Sequence, residues 1–587
     1  MAKESGMAVD REKAASVDLG GKQVPMEWGG DAIAEMFRAL DIEYIALNPG
    51  ASYRGIHDSM VNYLGNKRPE MIVCLHEEHA VAIAHGYAKV KGRPMGAFVH
   101  SNVGLMHSTM AIFDAWCDRQ PVLVFGATGA VDAMKRRPWI EWIHTARDQG
   151  ALVRNYTKWD DQPASVEAAL ESMARANILA QQVPQGPTYL VFDVSIQEQR
   201  ISPDTKLPDL TRHVVPPPPE PQTDAVAEAA KLLGAAKSPV IYLGRASLEK
   251  GDWDRRVQLA ERLGAKVIPD LKCRASFPTD HPLVCGAPGT RINKEQVAAI
   301  QNADVLLALD PVDLGGALKA AFGDGTVKPR VIHATLDSYV ANGWSMDYQI
   351  LPVVDVPLLG DADRAVARLL DVLGATPKAA LGAPRLSGVP EPLGSGDISL
   401  KDLSKVATRV AAKKKISFVR LPLRWPADTN VFKDPMDFLG YEGGGGVGSG
   451  PGMSVGSALA LKGSGRIPVA ILGDGDTLMG LSALWTAKRY RIPLLVVVAN
   501  NRIYQNDVAH QDHIAVERER PRENKFVGQD ITDPAPDFGL LVRGFDWTAP
   551  EGQVTDLADL EGAILEGLDI VEKGGCHLID VAMRDVD

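Results

Sequence analysis

Only five of the 587 residues are cysteine (Cys74, Cys117, Cys273, Cys285 and Cys576), widely spaced and with no C-x-x-C pair. That usage speaks against a disulfide scaffold or a zinc ribbon, fits a reducing cytoplasm, and lets each cysteine be read as a small buried hydrophobe. An excess of positive charge is also missing, since Lys+Arg 63 against Asp+Glu 74 leave a formal charge of −11. Nucleic-acid and anionic-membrane surfaces need clustered Lys and Arg, so small molecules are the expected partners and neither polymer nor membrane is. No apolar run reaches the length of a membrane span, and no repeat of fixed period recurs. Residues 1–24 are polar and charged, unlike a signal peptide, and read as a loose tail.

What remains is an ordinary globular composition, 45% hydrophobic and 23% charged, in a chain long enough for about three cores. Two composition breaks divide it. Residues 215–221 (VPPPPEP) read as a stiff linker, because successive prolines neither join a central strand nor continue a helix. Residues 376–396 are rich in Pro, Gly and Ala, with little periodic apolar signal. The expected domains are therefore 25–210, 222–375 and 395–587.

Each segment alternates short apolar runs with amphipathic stretches, the pattern of a doubly wound α/β domain with a parallel sheet. Strands are expected at 44–47, 71–75, 94–99 and 121–125 in the first segment. The second carries 240–243, 266–268, 305–309 and 331–332, with a helix such as 225–233. The third carries 468–472 and 493–499 around a helix at 478–490. Ligands of such sheets collect at the carboxyl ends of the strands, so chemistry is expected in the loops just after them.

In the last segment one strand ends in Gly473-Asp474-Gly475 and the next in Asn500-Asn501, within GDGDTLMGLSALWTAKRYRIPLLVVVANN. Glycines let backbone approach a diphosphate closely, and the following helix offers unpaired N–H groups to the same anion. Mg²⁺ takes about six oxygens, of which Asp474, Asn501 and the Ile503 carbonyl supply the protein's share. Gly-Asp-Gly alone also makes ordinary turns. The chain holds its own control at Gly323-Asp324-Gly325, from which the same advance reaches Ile350-Leu351 instead of Asn-Asn.

GDG separated from NN by one helix and one strand resembles the thiamine-diphosphate motif of the acetolactate synthase, pyruvate decarboxylase and benzoylformate decarboxylase superfamily. The resemblance covers nearly the whole chain beyond the tail. It implies pyrimidine-binding, central and diphosphate-binding α/β domains, with thiamine diphosphate and Mg²⁺ as cofactors. Gly473, Asp474, Gly475, Asp476 and Thr477 would line the diphosphate, and Asp474, Asn501 and Ile503 the metal. It further implies an active site shared by two copies of the chain, in a homodimer or a dimer of dimers.

In that family the cofactor reacts after its C2 carbon loses a proton to its own 4′-amino group, a step driven by a carboxyl group on the far pyrimidine nitrogen. VCLHEEHAVAIAHGYAKVKGRP (73–94) is similar to the family's strand–HE–helix–GYA pattern. With Gly86-Tyr87-Ala88 as register, Glu77 takes the place of the catalytic, cofactor-binding glutamate. Glu78 reads as a first-turn acid that favours the helix dipole.

Asn48-Pro49-Gly50-Ala51-Ser52, after the first strand, resembles the family's cofactor-binding NPG loop. Benzoylformate decarboxylase carries a serine directly after that glycine; here Ala51 stands there and Ser52 follows. AFVHSNVGLMHSTMAIFDAWCDRQP (97–121) looks more like benzoylformate decarboxylase than acetolactate synthase, whose equivalent loop reads TSGPG. His100 is thereby implied in proton transfer, a role suited to a side chain whose pKa lies near working pH. His107 reads as a helix-surface or packing residue. EGGGGVGSGPG resembles the loop that wedges a bulky apolar residue between the cofactor's rings, and Val447 takes that place. Residues 505–530 are polar and charged, in a region relatives use to cover the active site.

The implied activity is cleavage or formation of a carbon–carbon bond adjacent to a carbonyl, first as a benzoylformate-decarboxylase-like lyase of a 2-oxo acid or related acyl donor. Alternatives are an acetolactate-synthase-like carboligase or transferase, a 2-hydroxyacyl-CoA lyase, and a cofactor-binding paralogue without turnover. Retention of Glu77, Asp474 and Asn501 argues against the last. The strand and turn at 239–244 resemble nucleotide-binding relatives, but one such turn does not establish FAD, ADP or CoA.

Overall fold

A computed structural model describes residues 25–337, 350–386 and 388–584, so the segment read as an N-terminal tail lies outside the described residues. The first sheet holds β1 (Tyr44–Leu47), β2 (Glu70–Val73), β3 (Met95–Val99), β4 (Val122–Thr128), β5 (Trp159–Asp161) and β6 (Thr188–Asp193) in the order β2-β1-β3-β4-β6-β5. The second holds β7 (Pro239–Leu243), β8 (Lys266–Pro269), β9 (Val305–Leu309), β10 (Arg330–Thr335) and β11 (Val356–Leu359) as β11-β10-β9-β7-β8. The third holds β12 (Ile416–Arg420), β13 (Ile467–Gly473), β14 (Leu494–Asn500) and β15 (Cys576–Ala582) in sequence order. Neighbouring strands within each sheet run parallel. The chain is thus three α/β domains with parallel sheets. Residues 213–222 carry neither helix nor strand, and nor do 374–386 and 388–397.

Helices on both faces explain why the central strands read as unbroken apolar runs: every residue of β4 and of β14 is buried. The helix expected over 478–490 is instead two short helices, Asp474–Gly480 and Ala483–Arg489, with Leu481 and Ser482 between them.

Two helices join the first and third sheets. Helix α1 (Glu77–Lys91) starts at His76, whose ring Nδ1 accepts the Glu78 N–H at 3.2 Å, and stops at Gly92 in the left-handed conformation (φ 65°). Helix α2 (Ser101–Cys117) follows β3, and helix α3 (Ser449–Leu461) crosses α1. The crossing is backbone on backbone. A Cβ at Gly86 would lie 2.0 Å from the Met453 carbonyl oxygen, and one at Gly456 would lie 1.9 Å from that of Ile83. Only glycine permits that approach, which merges Ala80, Ile83 and Tyr87 with Met453, Val455 and Leu459 into one core.

In the second sheet the switch point lies between β7 and β9. There the Arg245 N–H donates to the Asp310 carbonyl at 2.9 Å, and a Cβ at Gly244 would lie 2.2 Å from the same oxygen. Arg119, from the first domain, pairs with Asp337 and stands 4.0 Å from Asp310. All five cysteines are buried and outside any disulfide, and burial pushes the Cys74 thiol up to about 12. Among the described residues no helix is long and apolar enough to cross a membrane.

Candidate active site

Strand order places the first group of side chains. Because β1 lies between β2 and β3, the chain reverses direction across the sheet there, and the loops leaving β1 and β3 open onto one crevice. The loop after β1 carries Asn48, Pro49 and Gly50, and the residue after β3 is His100. Asn48 Nδ2 donates to the Cys74 carbonyl at 3.1 Å, and the Tyr53 hydroxyl donates to the Asn48 carbonyl, which fixes the loop. Gly50 is required by proximity, since a Cβ there would lie 2.5 Å from the His100 ring. Buried Ser52 reaches the same ring, with Oγ 2.9 Å from His100 Nδ1. The serine two places after the glycine therefore touches the histidine, a contact between residues far apart in sequence that local pattern does not carry.

Burial lowers the proton affinity of His100, the neighbouring His144 lowers it further, and Glu77 acts the other way. Glu77, the first residue of α1, is 7% exposed. Its Oε2 lies 3.0 Å from Nδ1 of His107 on α2, while Oε1 would be 3.1 Å from a Cβ at Gly104. His107, read from sequence as a packing or surface residue, is half exposed and hydrogen-bonded to this acid. His76, Glu77 and His107 offer donor atoms within 4.8 Å of one another. His76 spends its Nδ1 lone pair on the helix cap, so its neutral ring carries the proton on Nε2 and has no lone pair there for a metal. Glu78 is partly buried; burial raises its carboxyl and the charge of Asp476 adds to the shift.

The second group surrounds a cavity of about 780 Å³ at the ends of β13 and β14, lined by Val447, Gly473, Asp474, Asp476, Asn501 and Ile503 among others. Asp474 opens helix α4 (Asp474–Gly480) and is 4% exposed; burial raises its carboxyl. Its oxygens accept the backbone N–H groups of Gly475 (2.7 Å) and Arg502. Asn501 Oδ1 accepts the Ile503 N–H at 3.2 Å. Its neighbour Asn500 turns away, donating to Asp580 Oδ1 at 3.0 Å.

The two glycines differ. A Cβ at Gly473 would meet nothing within 4 Å, whereas one at Gly475 would come 2.7 Å from the Tyr504 ring. Asp476 Oδ1 accepts the N–H groups of Gly448 (2.7 Å) and Gly450 (3.2 Å), which ties the loop bearing Val447 to α4. The Thr477 hydroxyl donates to the Gly473 carbonyl at 2.7 Å, and Thr477 is fully buried. Val447 is 43% exposed beside the same space. Residues 505–530 include helix α5 (Gln505–Glu517) and a short 3-10 turn, Arg522–Phe526; Tyr504, Gln505 and Asp507 stand at the cavity wall.

A buried carboxylate held by backbone donors, beside an amide oxygen and open space at Gly473, suits a hard cation and an anion bridged by it. None of Asn48, Gly50, Glu77 and His100 lines this cavity. The control turn at Gly323-Asp324-Gly325 is a helix end on the surface, with Asp324 95% exposed and paired with Lys319.

Three family models match the chain: the thiamine pyrophosphate enzyme N-terminal TPP binding domain over residues 27–152, the central domain over 226–369, and the C-terminal TPP binding domain over 423–581. Acetolactate synthase 1, chloroplastic, of Zea mays is 24% identical over 577 residues, covering 94% of this chain and 85% of that protein. Acetolactate synthase of Mycobacterium bovis is 26% identical over 498 residues, covering 81% and 76%. Among solved structures, benzoylformate decarboxylase from Polynucleobacter necessarius superposes with TM-score 0.77 at 20% identity, covering 96% of this chain and 100% of that one. The thiamine diphosphate-dependent 4-hydroxybenzoylformate decarboxylase of Rhodococcus jostii RHA1 gives 0.74 at 20% identity, covering 95% and 99%. At these identities the structures establish the shared fold.

Proposed function

The chain belongs to the thiamine-pyrophosphate-dependent enzyme superfamily, and from that premise we propose that it is a Mg²⁺-dependent lyase that decarboxylates a 2-oxo acid. The observation that carries this reading is the Ser52–His100 contact at the switch point of the first sheet. It sets the Ser52 hydroxyl, one place later than the serine of benzoylformate decarboxylase, against His100, the residue on which the resemblance to that family rests.

Thiamine diphosphate, when bound, supplies the nucleophilic carbon and the electron sink. The chain's own groups do the rest. Asp474, Asn501 and the Ile503 carbonyl would hold Mg²⁺, with Gly473 leaving room for the diphosphate. Val447 would support the rings, and Glu77, oriented by His107, would hold the proton on the pyrimidine nitrogen. His100 moves a proton to or from the substrate, with Ser52 fixing its ring. Asp476 and Thr477 serve the loop's own backbone.

Glu77 and His100 lie outside the cavity that holds the metal ligands, which supports a complete site made with a second copy of the chain. Five buried cysteines, none of them in a disulfide, favour the cytoplasm as its place. A carboligase or transferase is the second reading, favoured by the acetolactate synthases that align along most of the chain.

The test is CO₂ release from a panel of 2-oxo acids, with thiamine diphosphate and Mg²⁺, with and without an aldehyde acceptor. CO₂ with an equivalent of aldehyde supports the lyase. CO₂ with an acyloin or a 2-hydroxy-3-oxo acid in place of free aldehyde supports the transferase, and no CO₂ from any acid contradicts both.

A further inference from the structure

We propose that His144 is a positioning residue for His100, holding its ring against Ser52 and opposing its protonation. The proposal rests on the reading of His100 as the proton-transfer group. The two imidazoles lie with centroids 4.7 Å apart and planes at 44°.

His144 is built into its place. It ends the 3-10 turn Glu141–His144, which is tied to the segments just after β3 and β4. Its carbonyl accepts the Ser101 hydroxyl at 2.7 Å and the Gly129 N–H at 3.1 Å. Its Nδ1 lies 3.2 Å from the Ile140 carbonyl, an acceptor only, so Nδ1 carries the proton of the neutral ring and Nε2 keeps its lone pair. Glu141, 2% exposed, pins the turn by accepting from Arg137 Nε at 2.6 Å and the Arg137 N–H at 2.8 Å, with Arg54 at 3.6 Å.

The other side is built as well. Ser101, next to His100, is fully buried with φ 50°, a left-handed conformation that costs a non-glycine residue energy. The bend brings the Ser101 hydroxyl onto the His144 carbonyl, so one strained residue locks the two histidines together.

Two rings at this separation repel once both are charged, so His144 opposes protonation of His100. The groups facing His100 are His144 from the turn, Ser52 from the loop after β1, and Glu77 from α1, which alone favours the charged ring. On the turn, the negative charge of Glu141 is met by Arg137 and Arg54. Burial of His100 acts in the same direction as His144.

The test is a ¹³C-histidine NMR titration of the apoprotein, with the His100 signal assigned through His100→Gln. In His144→Phe, which keeps ring bulk, and in His144→Asn, the His100 midpoint is expected to rise by about half a pH unit or more. The acidic limb of kcat/KM against pH should rise with it. A midpoint unchanged in both variants overturns the proposal. Should both variants fail to fold, His144→Gln takes their place with the same expected rise, and an unchanged His100 midpoint overturns the proposal. The titration uses neither cofactor nor substrate, so its failure leaves the decarboxylase reading standing, and the reverse holds.

Discussion

Nδ1 of His107 stands 3.0 Å from Oε2 of Glu77, and Gly104, one turn earlier on the same helix, leaves the gap into which Oε1 fits. Helix α2 therefore sets both sides of the acid's head group. A hydrogen bond to a carboxylate contributes about 1.5–3 kcal/mol, which is roughly 10- to 100-fold in rate if it is needed to aim Glu77. His107→Ala is expected to slow exchange of the cofactor's C2 proton by that factor, while His107→Asn, which keeps a donor, loses less. An unchanged rate in His107→Ala would show that the acid holds its own position.

Removing the charge of Asp474 should act on the metal. Asp474→Asn is expected to raise the Mg²⁺ concentration needed for half-maximal cofactor binding by at least about 10- to 100-fold, the loss that follows when only a group supporting a metal ligand is changed. Calorimetric titration of the apoprotein with Mg²⁺ and thiamine diphosphate checks it. Equal affinity in the variant and wild type would move the metal elsewhere.

Gly456→Ala tests the crossing of α1 and α3. The added Cβ has 1.9 Å to the Ile83 carbonyl oxygen, and both partners are backbone, so the helices must separate. Forced separation in a packed core costs about 1–3 kcal/mol or more. The melting temperature should fall clearly, with α1 gaining hydrogen exchange ahead of the second sheet.

Asp114, on α2, carries a pH effect of known sign. Burial pushes its carboxyl up to about 8, against the opposing pull of the Gly446 N–H, which stands 3.4 Å from Oδ1, of Arg420 and of Ser449; among the described residues Oδ2 has no hydrogen-bond partner. The folded chain thus keeps a proton that the unfolded chain releases near pH 4, so stability falls as pH rises from about 4 to about 8 and then levels off. Asp114→Asn should gain melting temperature over wild type slightly near pH 5 and more near pH 8. An equal gain at both values would contradict a neutral Asp114.

Local pattern carried the strands at 44–47 and 305–309 and the spacing of Asp474 to Asn501, because unbroken apolar runs and short motifs are properties of neighbouring residues. It did not carry β5, whose three residues Trp159–Asp161 include two aspartates and no apolar run. The single helix expected over 478–490 breaks at Leu481 and Ser482 because Gly480 packs directly on the Gly448 carbonyl, a tertiary contact. The contacts Ser52–His100, Glu77–His107 and His100–His144 arise from the order β2-β1-β3-β4, which brings the segments after all four strands onto one another. His144 lies in an irregular stretch with no periodicity, and only its ties to the segments just after β3 and β4 mark it.

The most direct test of the account is the rate of C2–H/D exchange of thiamine diphosphate on the purified protein with Mg²⁺, wild type against Glu77→Gln. Fast exchange in the wild type, slowed by about a hundredfold or more in the variant, is the predicted result. No acceleration over free cofactor in the wild type, or equal rates in the two proteins, would contradict Glu77 as the activating acid.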